Sequence, residues 1–176
     1  MAAFMWACNA LDFFDYAESE DESRVEERYS GRFLRKKRQI QGGSYFDILE
    51  IHWICLPQEV EDAYKKLRDF FDIETNKEMP KQFHKDASFI SKSIQEAYSK
   101  LKVDSQRREY RLELIEKEMI KQSAALLSKK GEMAIMRRDR REACGCYSKA
   151  LELIPSHQEY REGLRRAAAV TSAPSA

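Results

Sequence analysis

A stripe of apolar residues at helical spacing constrains the fold of this chain more than any other feature. Apolar side chains recur at alternating steps of four and three at Phe83, Ala87, Ile90, Ile94, Ala97 and Leu101. This spacing places them on one face of an α-helix, which needs another surface to cover it. Six Gly and four Pro in 176 residues are few for a protein built from tight turns. We therefore expect an all-α fold.

Weaker patterns on both sides of the stripe predict further helices. Tyr45, Ile48 and Leu49 mark a short amphipathic helix, and Pro57 suits the first turn of the next one. Asp104 and Ser105 resemble a helix N-cap. From Arg107 to Lys130 we expect one uninterrupted helix, with its arginines and glutamates paired on a solvated face up to Lys117.

Four short motifs follow one another between residues 45 and 111. They are Tyr45-Phe46-Asp47-Ile48-Leu49, Ala63-Tyr64-Lys65-Lys66-Leu67, Ile94-Gln95-Glu96-Ala97-Tyr98-Ser99-Lys100-Leu101 and Arg107-Arg108-Glu109-Tyr110. Together they resemble the J domain, the co-chaperone module of the DnaJ family. The resemblance implies a helical bundle over residues 44–112, with a core formed by Tyr45, Leu49, Ala63, Leu67, Ile94, Ala97, Tyr98 and Leu101.

The chain departs from the J-domain pattern at the tripeptide that carries the family's activity. Where the family has His-Pro-Asp, this sequence has Asp72, Ile73 and Glu74. In a working J domain, that loop triggers hydrolysis by a DnaK-type heat-shock ATPase, and a basic second helix faces the same partner. Here residues 59–74 carry three basic and six acidic side chains, a balance of −3, and Lys65 and Lys66 are the remaining candidate contacts. The resemblance therefore implies a J-like fold without the ATPase trigger.

Residues 123–156 resemble a single tetratricopeptide repeat, which is a pair of antiparallel helices. From Gly131, the repeat's small, aromatic and proline positions recur at the expected spacing as Ala143, Tyr147, Ala150 and Pro155, and we expect all five residues in the hairpin core. We expect Arg138 and Asp139 to form the turn and residues after Pro155 to form a capping helix. The resemblance implies a concave face on the first helix with candidate partner contacts at Leu127, Lys130, Ala134 and Arg137.

The ends of the chain have a different composition. Residues 1–43 combine an aromatic start, an acidic block and a basic cluster at Arg35, Lys36, Lys37 and Arg38, and we expect a flexible arm with a solvated cluster. Residues 113–122 are predicted to be a helical connector, residues 123–170 the hairpin with its capping helix, and residues 171–176 a disordered tail.

Composition narrows the range of functions. A formal charge of +1 offers no overall field for nucleic acid, and the four Cys and three His are scattered. Catalytic and phosphate-binding motifs are not recognisable, and no apolar run reaches the roughly 18 residues that cross a bilayer. We expect a cytoplasmic protein without enzyme activity, metal or cofactor that binds other proteins as an adaptor. The alternative is a divergent co-chaperone of a DnaK-type ATPase.

Overall fold

The protein is described by a computed structural model that covers residue 24 and residues 26–170. This part of the chain is helical and contains no strand, which confirms the expected all-α fold. Its helices are α1 (residues 26–42), α2 (Tyr45–Ile48), α3 (Pro57–Phe71), α4 (His84–Leu101), α5 (Asp104–Leu114), α6 (Lys117–Met136), α7 (Arg140–Leu153) and α8 (Gln158–Ala169). A 3₁₀ turn at Lys81–Phe83 precedes α4.

Helices α1 to α5 form a bundle around one apolar core. The α4 stripe is buried as predicted, since Ala87, Ile90, Ile94, Ala97 and Leu101 are at most 1% exposed. Leu49 and Leu67 are also buried, and Tyr45, Ala63 and Tyr98 are half-buried and pack against the same core. The periodic pattern therefore identified the central helix of the bundle correctly.

Helix α1 belongs to this bundle, so the prediction of a flexible arm over residues 1–43 is wrong for residues 26–42. Tyr29, Phe33 and Lys36 lie at i, i+4 and i+7 on one face and are each at most 2% exposed. The Tyr29 ring stacks on Phe70 and Phe83, with ring centroids 5.3 and 5.9 Å apart. Aromatic contacts thus order a segment whose charges suggested disorder. Residues 1–23 and 171–176 lie outside the described residues.

The basic cluster of α1 is not uniformly solvated, which corrects a second expectation. Lys36 is fully buried, and its ammonium donates to the Ile48 carbonyl at 3.0 Å and pairs with Glu50 at 2.5 Å. Lys37 forms an ion pair with Asp86 at 2.6 Å. Burial lowers the pKa of Lys36, and its contact with Glu50 opposes that shift. The cluster therefore attaches α1 to the bundle.

The predicted uninterrupted helix from Arg107 to Lys130 is also wrong. Helix α5 ends at Leu114, and Ile115 (φ −121°, ψ 131°) and Glu116 (φ −57°, ψ 136°) form an extended step before α6 begins at Lys117. The buried face of α5 contains Arg107 and Arg111, whereas that of α6 starts at Ile120. Nine residues of helix rotate a side chain by about 180°. A continuous helix would therefore expose one of these faces, and the break lets both be buried.

Helices α6 to α8 form a hairpin with a capping helix around Tyr147. Ala143, Tyr147 and Ala150 are fully buried, as predicted, and Arg138 with Asp139 forms the turn between α6 and α7. A Cβ on Gly131 would lie 2.7 Å from the Tyr147 ring, and one on Gly163 would lie 2.2 Å from it. The ring therefore lies between two glycine backbones. Pro155, predicted as core, is exposed because α7 has already ended at Leu153.

Candidate protein-binding surface

The loop that replaces the J-family tripeptide is held by its own hydrogen bonds. The Asp72 carboxylate accepts from the Glu74 N–H at 3.2 Å and from the Thr75 hydroxyl at 3.1 Å. The Asn76 amide donates to the Phe70 carbonyl at 2.7 Å and to the Tyr29 hydroxyl at 3.0 Å. Because Tyr29 belongs to α1, the extra N-terminal helix anchors this loop. Of the three substituted positions, Asp72 and Ile73 are half-buried and Glu74 is exposed.

The candidate contacts on α3 are exposed side chains of an otherwise acidic helix. Lys65 and Lys66 both face solvent, and Lys65 lies 3.4 Å from the Glu61 carboxylate. Such an exposed pair contributes little to stability. The structure therefore places these two lysines at the surface. It does not bring them together with the loop residue Glu74 into one pocket.

The predicted concave face of the hairpin is only partly accessible. Ala134 is fully buried, which corrects its assignment as a partner contact, and Leu127 is half-buried against the hairpin core. Both residues lie on the same side of α6 as Gly131, where the helix meets Tyr147. Lys130 and Arg137 are exposed and face Glu142 on α7, at 3.9 and 2.7 Å. The accessible part of this face is therefore basic.

Helix α6 has a second apolar face, which the sequence interpretation missed. Met119, Leu126, Met133 and Met136 are 50%, 68%, 59% and 80% exposed, and we call them the outer α6 stripe. The first three are spaced by seven residues, so they lie along one line of the helix. This heptad spacing was a readable signal, but it competed with the inner stripe at Ile120, Ala124, Gly131 and Ala134. The bundle and the hairpin cover only the inner stripe.

Basic side chains border the outer α6 stripe. Lys129 and Lys130 lie three or four residues from both Leu126 and Met133, and Arg137 lies four residues beyond Met133. Residues 117–170 carry twelve Lys and Arg against seven Asp and Glu, a formal charge of +5. Residues 44–116 carry twelve against fifteen, a formal charge of −3. The stripe therefore lies on the positive half of the molecule.

A buried ionic cluster fixes the hairpin to the bundle. Arg107 of α5 donates to the Glu152 carboxylate of α7 at 3.0 Å, Arg108 donates to it at 3.0 Å, and Arg111 donates to it at 3.4 Å. Arg107 and Arg111 are at most 2% exposed, contrary to the predicted solvated face. Arg111 also donates to the Trp53 carbonyl at 2.9 Å, and burial lowers its pKa.

A second polar contact stabilises the hairpin internally. The Tyr147 hydroxyl donates to Glu132 at 2.8 Å, and Arg166 of α8 pairs with the same carboxylate. Burial, with the Glu132 contact, raises the pKa of Tyr147 to about 12. The Glu132 contacts hold α6 against α7 and α8, the Glu152 cluster holds α7 against α5, and the outer α6 stripe faces solvent.

Comparisons with protein families, curated proteins and solved structures found no match to this chain. Within residues 24 and 26–170, no group of three or more His, Cys, Asp or Glu side chains is arranged to hold a metal ion. In the same part of the chain, no helix has the length and apolarity to cross a membrane. The assignment of a protein-binding role to the outer α6 stripe therefore rests on its exposure and its charged surroundings.

Proposed function

We propose that this protein is a non-catalytic interaction module, a scaffold or adaptor that binds another protein through the outer α6 stripe. The observation that carries the proposal is the row of four largely exposed Met and Leu side chains on a rigidly held helix. Flexible Met-rich surfaces are common at protein-binding sites because the thioether side chain adapts to different partners. A partner helix with apolar residues at similar spacing fits this row.

The expected affinity is moderate. Burial of one Met or Leu side chain contributes roughly 1.5–3 kcal/mol. Association costs about 4–15 kcal/mol in lost freedom of motion, so four such side chains leave little surplus unless charges assist. We therefore expect binding that depends on an acidic partner segment and weakens as the salt concentration rises.

The family resemblances belong to the same proposal. We infer that the bundle is a degenerate J domain and that α6 and α7 form one tetratricopeptide-like repeat. The order of α2 to α5 and the packing of Tyr147 on Gly131 support this inference. The alternative function is a divergent co-chaperone of a DnaK-type ATPase. The substituted loop and the excess of acidic side chains on α3 make it the weaker candidate.

Affinity capture with matched variants tests the adaptor function. The full chain is immobilised and compared with Leu126→Asp in the stripe and with Leu34→Asp, which alters another exposed leucine, on α1. We expect proteins from the source cells that bind the wild type and Leu34→Asp but are lost with Leu126→Asp. A set of bound proteins that is unchanged by Leu126→Asp would exclude the stripe as the binding surface.

A steady-state ATPase assay separates the adaptor from the co-chaperone. The full chain is added to a cognate DnaK-type ATPase, beside a variant in which Asp72, Ile73 and Glu74 are replaced by His, Pro and Asp. We expect the wild type to leave ATP turnover unchanged. Stimulation by the wild type would contradict the adaptor proposal and make the substituted loop a working variant.

A further inference from the structure

The chain itself contains a segment with the chemistry that the outer α6 stripe would recognise. Residues 1–22 contain six Asp and Glu and no Lys or Arg. Interleaved with these acids are the large apolar residues Phe4, Met5, Trp6, Leu11, Phe13, Phe14 and Tyr16. The segment therefore combines the apolar surface and the negative charge that complement a Met and Leu row bordered by Lys129, Lys130 and Arg137.

The segment is long enough to reach the stripe. It joins α1, whose Tyr29 contacts Phe83 just before α4, so it is attached at the start of α4. The other end of α4, at Leu101, contacts Arg107 beside the hairpin. Helix α4 has 18 residues and is therefore about 27 Å long, and the steps from α5 to α7 and from α7 to α6 add roughly 8–10 Å each. Residues 4–23 in extended form span up to roughly 66–72 Å.

From this complementarity and reach, we propose that residues 1–22 bind the outer α6 stripe of the same chain and compete there with the partner. The inference rests on the proposed function, because it assigns a built-in competitor to the same surface. A tethered segment has an effective concentration in the millimolar range. Weak contacts are therefore enough to occupy the stripe for much of the time, and a partner binds only by displacing them.

Methyl NMR on the full chain with a nitroxide at Cys8 tests the contact. Methionines carrying ¹³C-methyl groups report on the stripe at Met119, Met133 and Met136, and the buried Met79 is the internal control. Burial raises the pKa of the Cys55 and Cys146 thiols and so slows their labelling. A Cys144→Ser background then directs the label to Cys8. We expect loss of the three stripe signals and retention of the Met79 signal.

Charge and apolar variants show whether the contact has the proposed chemistry. Leu126→Asp is expected to restore the signals of the stripe methionines. Lys129→Glu with Lys130→Glu is expected to do the same, and high salt to do so in part. The matched control is Lys121→Glu, because Lys121 is exposed on the same helix and lies away from the stripe. Lys121→Glu is expected to leave the signal loss unchanged.

Other outcomes would overturn the proposal. Signal loss at Met79 alone would place the segment near its attachment to α1, because Met79 lies in the loop held by Tyr29. No loss at any methyl would exclude the contact. A sample that mixes nitroxide-bearing chains without ¹³C and ¹³C chains without nitroxide detects binding between two copies. Signal loss in that sample would assign the stripe to a second molecule.

The capture experiment separates this inference from the function on which it rests. If the NMR contact is absent while Leu126→Asp still abolishes partner capture, the adaptor function stands and the intrachain competitor is excluded. If the contact is present, Trp6→Ser with Phe13→Ser is expected to increase partner capture by the full chain. If the NMR contact is present but no partner is captured, the adaptor function is contradicted and the intrachain contact stands.

Discussion

The bundle and the hairpin are stabilised in different ways. The bundle of α1 to α5 buries large side chains such as Tyr29, Phe33, Phe46 and Phe71. The hairpin of α6 to α8 buries mostly alanines around the rings of Tyr147 and Tyr160. Small residues let helices approach closely but remove little apolar surface from water. The hairpin core is therefore the weaker of the two, and it depends on its contact with the bundle.

The contact between the two regions combines buried ion pairs with apolar packing, because Trp53 and Ile54 of the bundle lie against the hairpin core. Glu152 accepts hydrogen bonds from three arginines of α5, and Lys149 pairs with Glu59 of α3 at 2.7 Å. Buried charges hold a geometry well when every partner is present and destabilise strongly when one is removed. The hairpin therefore gains a fixed orientation from these contacts, while its outer α6 stripe stays exposed.

The largest expected effect comes from Glu152→Gln. The change leaves Arg111 buried without a carboxylate partner and Arg107 with Asp104 alone, which should lower the free energy of unfolding by about 3–5 kcal/mol. Urea unfolding followed by circular dichroism measures this loss. Hydrogen exchange should show that α6 to α8 lose more protection than α4. The control Glu159→Gln, exposed on α8, should change stability by no more than about 0.5 kcal/mol. A similar small change for Glu152→Gln would contradict the claim that the hairpin depends on its ionic contact with the bundle.

Gly163→Ala should have the next largest effect and should act on the hairpin alone. The new Cβ would lie 2.2 Å from the Tyr147 ring, so the ring and α8 must separate, at a cost of about 1–3 kcal/mol. Thermal unfolding measures the loss. The matched control is Gly145→Ala, since a Cβ there meets nothing within 4 Å. This control should stabilise α7 by up to about 1 kcal/mol. Equal effects at both glycines would argue against the tight packing.

Tyr29→Phe should destabilise the bundle and leave the hairpin unchanged. It removes the hydroxyl that bonds Asn76 across 47 positions of sequence, at a cost of about 0.5–1.5 kcal/mol. Chemical denaturation gives the value, and hydrogen exchange should show opening of the loop at residues 72–76. Tyr45→Phe, which removes an exposed hydroxyl bond to Glu96, should cost less. An effect confined to α6 to α8 would contradict the role given to α1.

The smallest expected effect is a pH dependence from Glu50. Burial by itself raises the pKa of Glu50, but hydrogen bonds from Lys36 and Arg32 outweigh it and hold that pKa below 4.5. Its contribution to stability is therefore complete above pH 4.5 and is lost as pH falls through the folded-state pKa. Urea unfolding midpoints of wild type and Glu50→Gln should converge below pH 4.5. The exposed control Glu109→Gln should follow the wild type throughout.

Several features were predictable because they depend on local sequence. The α4 stripe, the turn at Arg138 and Asp139, and the buried positions Ala143, Tyr147 and Ala150 all follow from spacing along one helix or across one turn. The J-like and tetratricopeptide-like assignments stay predictions, since they rest on motifs. Pro155 and Ala134 show where a motif position does not define exposure: Pro155 is exposed outside α7, and Ala134 is fully buried in α6.

Other features depended on partners far away in the sequence. Burial of Arg107 requires Glu152, which is 45 positions later, and burial of Lys36 requires Glu50 and the Ile48 carbonyl. A charged residue is normally exposed, so the sequence around it does not predict a distant partner that would allow its burial. The candidate site was missed for a related reason, because α6 contains two apolar faces and the spacing alone does not say which of them is covered.

Hydrophobic periodicity acts within one helix, so it was enough to predict the helical content of the described residues and the inner faces of α4 and α7. The contacts between helices were needed to show that α1 joins the bundle, that α5 and α6 are separated, and that Met119, Leu126, Met133 and Met136 remain at the surface. Burial requires two surfaces in contact, and the second surface comes from another part of the chain. A helix with two apolar faces leaves one uncovered when the fold supplies one partner.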